Sequence, residues 1–382
     1  MNMLLSANEQ TYVRGLKRRE REEVTLALAP IAKSQHVVEP LRIRVLRSHL
    51  PPELKQRIFG ELTTCLSDKY VQWVQKVLSV PLHVQKVPKR AESAALALSE
   101  ALRKMQGAVA GHDAAKQEVL QLVLHQHRGR VAKQSYALGF EGPPGCGKTL
   151  FVKEGLVPAL QRPVVNIPLG GASDVSFLLG HSYTYEGSKE GALAAGLIES
   201  KCMNPVVYFD EVDKISETER GREICNLLIH LIDPTANGAL RDRYFHGLDL
   251  DFSNCTFVFS FNDASKVNPI LLDRIKRVEI RAPTADERKK ILTDYVMPRL
   301  QKRLRTKLSL HDGVVDLLCA IHSSGGMREC ERHAEHVVGS ALVQQALHPT
   351  QFEGDVVPLA FAAPLLPTAA PPSSSPPAGM YT

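Results

Sequence analysis

The stretch EGPPGCGKTLF, residues 141–151, constrains the fold of this 382-residue chain more than any other. Its three glycines and two prolines exclude a helix interior or a packed strand there. Within it Gly142, Pro143, Pro144, Gly145, Cys146, Gly147, Lys148 and Thr149 fit the spacing GxxxxGK(S/T). The apolar run YALGF precedes the motif, and a helix is expected from Lys148. That is the strand–loop–helix context a phosphate loop requires. Glycines let backbone N–H groups converge on phosphate oxygens with no Cβ in the way, and the helix N-terminus adds partial positive charge. Lys148 is expected to pair with the β- and γ-phosphates of ATP, and Thr149 to hold Mg²⁺. Cys146 occupies a free slot in the pattern. It reads either as a small side chain that fits, or as a redox gate whose thiol pKa is lowered by the helix N-terminus and Lys148.

Beyond Tyr136 short apolar runs alternate with helical stretches: YALGF, PVVNI, PVVYF, TFVFSF and RVEI at 277–280. Such alternation predicts a parallel five-stranded α/β sheet with helices on both faces. PVVYF leads to Asp210, placed to bind Mg²⁺ through water, and to Glu211, which can polarise a water towards the γ-phosphate. Two adjacent carboxylates after a buried strand are costly unless a cation or water meets them. TFVFSF leads to Asn262, expected beside the attacking water, although Asn at a strand end is also a common turn former. Together these strands predict an ATPase of the additional-strand class. In such enzymes an arginine from a neighbouring subunit meets the charge developing on the γ-phosphate. Arg274, in NPILLDRIKR, is the candidate. Arg328, opening a helix in GGMRECERH, is the candidate to reach back to the phosphates, with Arg332 one turn on as the alternative.

The remainder reads as helix and tail. A charged helix is expected from Gln10 to Leu28, helical structure from Leu41 to Leu82, and further helices over 94–109 and 112–125. After Pro283, helices are expected over 285–305, 314–322 and 328–346, forming a small all-α domain. From Pro349 the chain is rich in Pro, Ala and Ser and reads as a disordered tail. The expected organisation is a basic helical N-terminal region (1–107), a large α/β ATPase domain (108–282), a small α domain (283–348) and the tail (349–382).

Charge is uneven. The first hundred residues hold 16 Lys+Arg against 10 Asp+Glu, and the rest balance at 31 against 31. Any basic surface therefore belongs to the N-terminal part, as a solvated helix face or a nucleic-acid or partner patch. Seven scattered cysteines with no CxxC pair argue against a zinc site or a disulfide framework. No apolar run reaches membrane-spanning length, and the N-terminus is no secretory signal. A reducing, cytoplasmic compartment is expected.

GPPGCGKT, the LGG at 169–171, GHSYTYEGS, NPVVYFDEVDK, LIDPTAN, RDRYFHGLDLDFSNCTFVFSFND, NPILLDR and VMPRL resemble, in order and spacing, the ATPase module of Lon proteases. GGMRECER is similar to that family's second sensor, and YVQWVQKVLSVPL resembles the helix before the module, with Leu82 where the family has tryptophan. The match covers roughly 70–346. It implies an AAA+ machine, a homo-hexameric ring that draws polypeptide through a central pore. Tyr185 matches the aromatic of the family's pore loop, but Glu186 stands where the family has an aliphatic residue, which implies a bias towards basic substrates. The family's adenine-side aromatic is replaced by Ala110, which implies that adenine is held by apolar contacts alone. No counterpart of the family's Ser–Lys peptidase domain is expected in these residues. No lysine follows Lys307, and Ser373, Ser374 and Ser375 have no base to activate them.

The function expected on this basis is a Mg²⁺-dependent ATPase that remodels or threads protein, a chaperone-like unfolding motor without peptidase activity of its own. The alternatives are the ATPase subunit of a protease whose peptidase is a separate chain, a nucleic-acid remodelling ATPase acting through the basic N-terminus, and a module that binds ATP without hydrolysing it.

Overall fold

The computed structural model describes residues 7–18, 20–22, 24, 39–64, 67–88, 92–128, 136–321, 326–348 and 355–367. The chain divides into two compact units, Met1–Leu78 and Ser79–Thr382. In the first, helices span Ala7–Gly15, Leu41–Arg47, Pro52–Thr64 and Asp68–Val77. Leu54, Ile58 and Leu62 recur at helical spacing and are buried, as are Trp73, Val74 and Val77. Ser67 caps the last of these helices by accepting from the Tyr70 amide at 3.3 Å. The single helix expected from Gln10 is interrupted, because Ala7–Gly15 stops at a glycine and Leu16 and Lys17 are not helical. Residues 25–28 of that expected helix lie outside the described ones.

Among the described residues the second unit has nine strands: β1 (Tyr136–Glu141), β2 (Val164–Pro168), β3 (Val206–Asp210), β4 (Leu240–Arg241), β5 (Asp249–Leu250), β6 (Thr256–Phe261), β7 (Lys276–Glu279), β8 (Ser309–Leu310) and β9 (Val356–Val357). Five of them form an all-parallel sheet in the order β2-β3-β6-β1-β7. β6 is buried at all six positions and β3 at its first four, as strands covered on both faces must be. In register, Glu141 lies beside Phe261, Phe209 beside Phe259 and Pro168 beside Asp210. The C-terminal ends of four strands are therefore level, and the polar residues that follow them collect at one edge. The antiparallel pair β4–β5 is an addition that the apolar runs do not announce.

Two boundaries differ from expectation. Helix Ala94–Ala108 does not belong with the N-terminal region. Its Ala101 and Met105 lie in the same core as Val119, Phe140, Phe151 and Val258. Val84–Lys86 is likewise tied to the lead-in of β3, through Lys86 N–H donating to Asn204 Oδ1 at 2.8 Å and Asn204 Nδ2 donating to the Lys86 carbonyl at 3.0 Å. The second difference is the tail. Residues 355–367 pack: β9 pairs in parallel with β8, and Val357, Ala362 and Leu366 are buried with Leu292, Val314, Leu318 and Val337. These apolar residues, spread among prolines and alanines, give no local periodicity but fill a gap in the small domain, which is therefore not purely helical. Residues 349–354 and 368–382, including Ser373, Ser374 and Ser375, lie outside the described ones.

The small-domain helices run Ala285–Ile291, a π-helical turn Leu292–Val296, Met297–Leu304, Asp312–Ile321 and Met327–Leu347. Thr284 and Glu287 form a reciprocal capping box at the first. Among the described residues no helix is long and apolar enough to cross a membrane.

Because Val357 is fully buried, Val357→Asp should destabilise the small domain by about 2 kcal/mol or more. Urea unfolding measures this, and an unchanged midpoint would remove 355–367 from the core.

Candidate functional site

The phosphate loop leaves the end of β1 and turns into a helix through Lys148–Leu150, a π-helical turn Phe151–Leu156 and Val157–Leu160. Gly145 and Gly147 sit at φ 77° and 96°, which other residues adopt only with strain. Lys148 is only 9% exposed. Its ammonium donates to the carbonyls of Gly142 at 2.6 Å and Pro143 at 3.0 Å and to Asn262 Oδ1 at 2.7 Å. Burial lowers its pKa from the ordinary lysine value. Phosphate loop and Asn262 are thus joined by one cation.

Thr149 Oγ1 lies 3.3 Å from Asp210 Oδ2 and 3.2 Å from the Tyr208 hydroxyl. Tyr208 donates to Ser260 Oγ at 3.0 Å, and Ser260 donates to Asp210 Oδ1. The Glu211 amide also donates to Ser260 Oγ, at 3.3 Å. Asp213 accepts the Asn262 N–H at 3.1 Å through Oδ2, while its buried Oδ1 has no hydrogen-bond partner. Neither Tyr208 nor Ser260 nor Asp213 stood out in the sequence. Tyr208 reads there as one more apolar strand residue, and only the register of β3 on β6 reveals its hydroxyl as polar machinery.

Glu211 is at φ 61°, a left-handed conformation unusual for a residue with a side chain. Its carboxylate folds against Gly170: a Cβ added there would lie 2.2 Å from Glu211 Oε2. The Leu169 amide donates to the Asp210 carbonyl at 2.9 Å, holding the LGG turn against this carboxylate. A side chain at 170 has to displace Glu211.

Pro144, Gly145, Lys148, Thr149, Asp210, Glu211, Asp213, Asn262 and Arg328 line one cavity of about 330 Å³. Arg328, and not Arg332, is the arginine of helix Met327–Leu347 that faces it. That helix starts on the phosphate loop itself, with Met327 N–H donating to the Gly145 carbonyl at 2.9 Å. A second cavity of about 410 Å³ adjoins the first at Gly145, Gly147, Leu150, Arg299, Met327 and Glu331. Val109, Ala110, His112, Ile291 and Tyr295 line it. Ala110 is there as expected, but the cavity is not purely aliphatic. Tyr295 stands with its hydroxyl on the Gln106 carbonyl at 2.8 Å, and the His112 ring has Nε2 3.1 Å from the Cys146 carbonyl. Tyr295 lies far along the chain and comes from the small domain, so no motif near Gly111 points to it.

Arg274 does not join this cluster. It donates to Asp233 Oδ2 at 2.7 Å, and Asp233, which also accepts from the amide and hydroxyl of Thr235, has its pKa driven well below the usual carboxylate range by these bonds. Tyr185 is 69% exposed and Glu186 exposed beside it. Cys146 is buried, and desolvation raises its thiol pKa despite the nearby Lys148 ammonium. This opposes the thiolate needed for redox gating and leaves Cys146 as a small packed side chain. The six described cysteines are all free thiols.

Sheet order, phosphate loop and strand-end carboxylates are those of an AAA+ P-loop domain. Residues 138–283 match the family "ATPase family associated with various cellular activities (AAA)". This part of the chain is similar to the AAA+ module of Lon proteases. It is 35% identical over 246 residues to a Lon protease homolog of Acanthamoeba polyphaga mimivirus, covering 63% of this chain and 24% of that protein. It is 36% identical over 184 residues to the Lon protease of Helicobacter pylori strain J99 (47% and 22%). It is 33% identical over 213 residues to the peroxisomal Lon protease homolog 2 of Zea mays (55% and 24%). The chain thus spans about a quarter of the length of these relatives. Among solved structures, a closed-state cryo-electron microscopy reconstruction of Hsp104 with ATPγS and FITC casein shares the fold, with TM-score 0.56 and 19% identity over 80% of this chain and 59% of that one.

Gly170→Ala should push the Glu211 carboxylate aside while leaving the phosphate loop intact. The expected result is an ATP hydrolysis rate lowered about 10- to 100-fold with ATP affinity unchanged. A steady-state rate alongside a nucleotide-binding titration reads both, and an undiminished rate would separate Glu211 from the chemistry.

Proposed function

We propose that the chain is a Mg²⁺-dependent AAA+ ATPase that remodels or threads polypeptide. The observation that carries this reading is the convergence of Lys148, Thr149, Asp210, Glu211, Asn262 and Arg328 on one cavity, joined to a second cavity with the dimensions and aromatic lining suited to a nucleobase. The triphosphate takes over the Lys148 donors now spent on loop carbonyls and Asn262. Asn262, freed from Lys148, turns its amide to the attacking water, and Glu211 accepts the proton of that water. Arg328, on a helix anchored to the loop, carries the state of the phosphates into the small domain.

Thr149 and Asp210 offer only oxygen donors, and among the described residues no group of three or more His, Cys, Asp or Glu is arranged to hold a metal. Two protein oxygens completed by phosphate and water suit Mg²⁺. When bound, it neutralises charge on the β- and γ-phosphates.

Arg274 acts on a neighbouring copy. It does not line its own phosphate-loop cavity and is held, part-exposed, by Asp233, which suits a residue presented at a subunit boundary in a homo-oligomeric ring. The exposed Tyr185 grips the polypeptide, and Glu186 beside it favours basic segments. The buried free thiols suit a reducing, cytosol-like compartment.

Glu211→Gln should reduce ATP hydrolysis about 100-fold or more with ATP still bound. Intact turnover in that variant would sink the assignment. A mixing experiment tests the arginine: Arg274→Ala and Lys148→Ala proteins, each inactive alone, should recover activity when combined at a concentration where wild-type rate per subunit is maximal. Failure to recover would place Arg274 outside the neighbouring site. A wild-type rate per subunit independent of protein concentration would remove the ring.

A further inference from the structure

Tyr208 is fully buried, and its ring belongs to the core beneath the phosphate loop. Its hydroxyl, however, meets Thr149 Oγ1 at 3.2 Å and Ser260 Oγ at 3.0 Å. A purely apolar side chain would fill the same space without placing a polar atom in the interior. The positions of the protons follow from counting donors.

Ser260 Oγ accepts the Glu211 amide proton, and its own single proton has the Asp210 carboxylate as acceptor. Ser260 therefore has none left for Tyr208, and the Tyr208 proton goes to Ser260. Towards Thr149 the phenolic oxygen is then only an acceptor. The chain is directional: Thr149 to Tyr208, Tyr208 to Ser260, Ser260 to Asp210.

Both ends of this chain are the residues expected to meet a cation. A threonine hydroxyl that gives a lone pair to a cation must send its proton elsewhere. Asp210 Oδ2, at 3.3 Å, is the other acceptor within reach, and it is the oxygen left over once Oδ1 has taken the Ser260 proton. A proton from Thr149 on that oxygen competes with its use at the cation. Accepting that proton on Tyr208 instead leaves both oxygens available.

We propose that Tyr208 is a positioning residue for the cation site. Its phenolic oxygen takes the Thr149 hydroxyl proton, which orients the Thr149 lone pair, and through Ser260 it fixes the Asp210 carboxylate. The inference rests on the ATPase reading above. It assigns no chemistry to Tyr208 itself, which lies behind the ligands in the manner of outer-shell partners that orient them.

The test is binding rather than turnover. A fluorescent ATP analogue is titrated onto wild-type protein and Tyr208→Phe, first in EDTA and then at stepped Mg²⁺ concentrations, with thermal unfolding as the check on folding. In EDTA the two proteins should bind the nucleotide within about twofold of each other. The Mg²⁺ concentration needed for half-maximal enhancement should rise about tenfold in Tyr208→Phe. Ser260→Ala, which removes the acceptor of the Tyr208 proton, should shift the same midpoint in the same direction, and Ser260→Thr should restore it. An unchanged Mg²⁺ midpoint in a folded Tyr208→Phe protein overturns the inference while leaving the ATPase reading standing. Wild-type protein that binds no nucleotide, or binds it equally with and without Mg²⁺, overturns that reading and the inference with it.

Discussion

The site depends on a buried ammonium. Lys148 is nearly removed from water, and a charge in that position is tolerated only if every donor finds an acceptor. Two acceptors are carbonyls of the loop that the lysine itself terminates, and the third is Asn262 at the end of a different strand. That last bond draws β1 and β6 together at their polar ends, and Asp213, accepting the Asn262 N–H, draws in the segment after β3. Loop, strand-end carboxylates and Asn262 are arranged around one cation. A triphosphate entering this site replaces neutral acceptors with stronger anionic ones in a place already shaped for negative charge. An anion that took over the Lys148 ammonium would thereby also free the Asn262 side chain.

Much of this was legible in the sequence because the chemistry of the loop is local. Eight consecutive residues fix the strand before it, the helix after it and the charge it accepts. Alternation of apolar runs with helical stretches gave the five strands, and carboxylates directly after one of them gave Asp210 and Glu211. What escaped was non-local. Tyr208 becomes polar machinery only when β3 lies in register on β6, so that its hydroxyl reaches Ser260. Tyr295 reaches the base cavity from another domain. Gly170 matters because it lies against Glu211, and nothing in the order Leu-Gly-Gly states what it faces. The same limit explains 355–367, where apolar residues scattered among prolines and alanines carry no period of their own and acquire a role only from the surface they cover. Helix Ala94–Ala108, packed with the α/β core, shows the same limit. Its amphipathic pattern shows that one face is buried but not against what.

The small domain is joined to the phosphate loop by main chain as well as side chain. The Met327 amide on the Gly145 carbonyl leaves no slack between helix Met327–Leu347 and the loop. Arg328 is the next residue, and the far part of the same helix forms the wall against which β9 and its neighbours pack.

Two of the helices that line the cavities carry a π-helical turn, Phe151–Leu156 directly after the phosphate loop and Leu292–Val296 ahead of Met297. A wide turn holds one residue more than an α-helical turn, and each residue of a helix rotates the next by about 100°. The insertion therefore sets which face is presented beyond it. Before the wide turn the first helix offers Lys148 and Thr149 to the phosphates; after it, the same rod packs Ala159 and Leu160 into the core. The two faces can then be tuned separately. Removing one residue from the wide turn would leave the composition of each face intact and point the second one the wrong way.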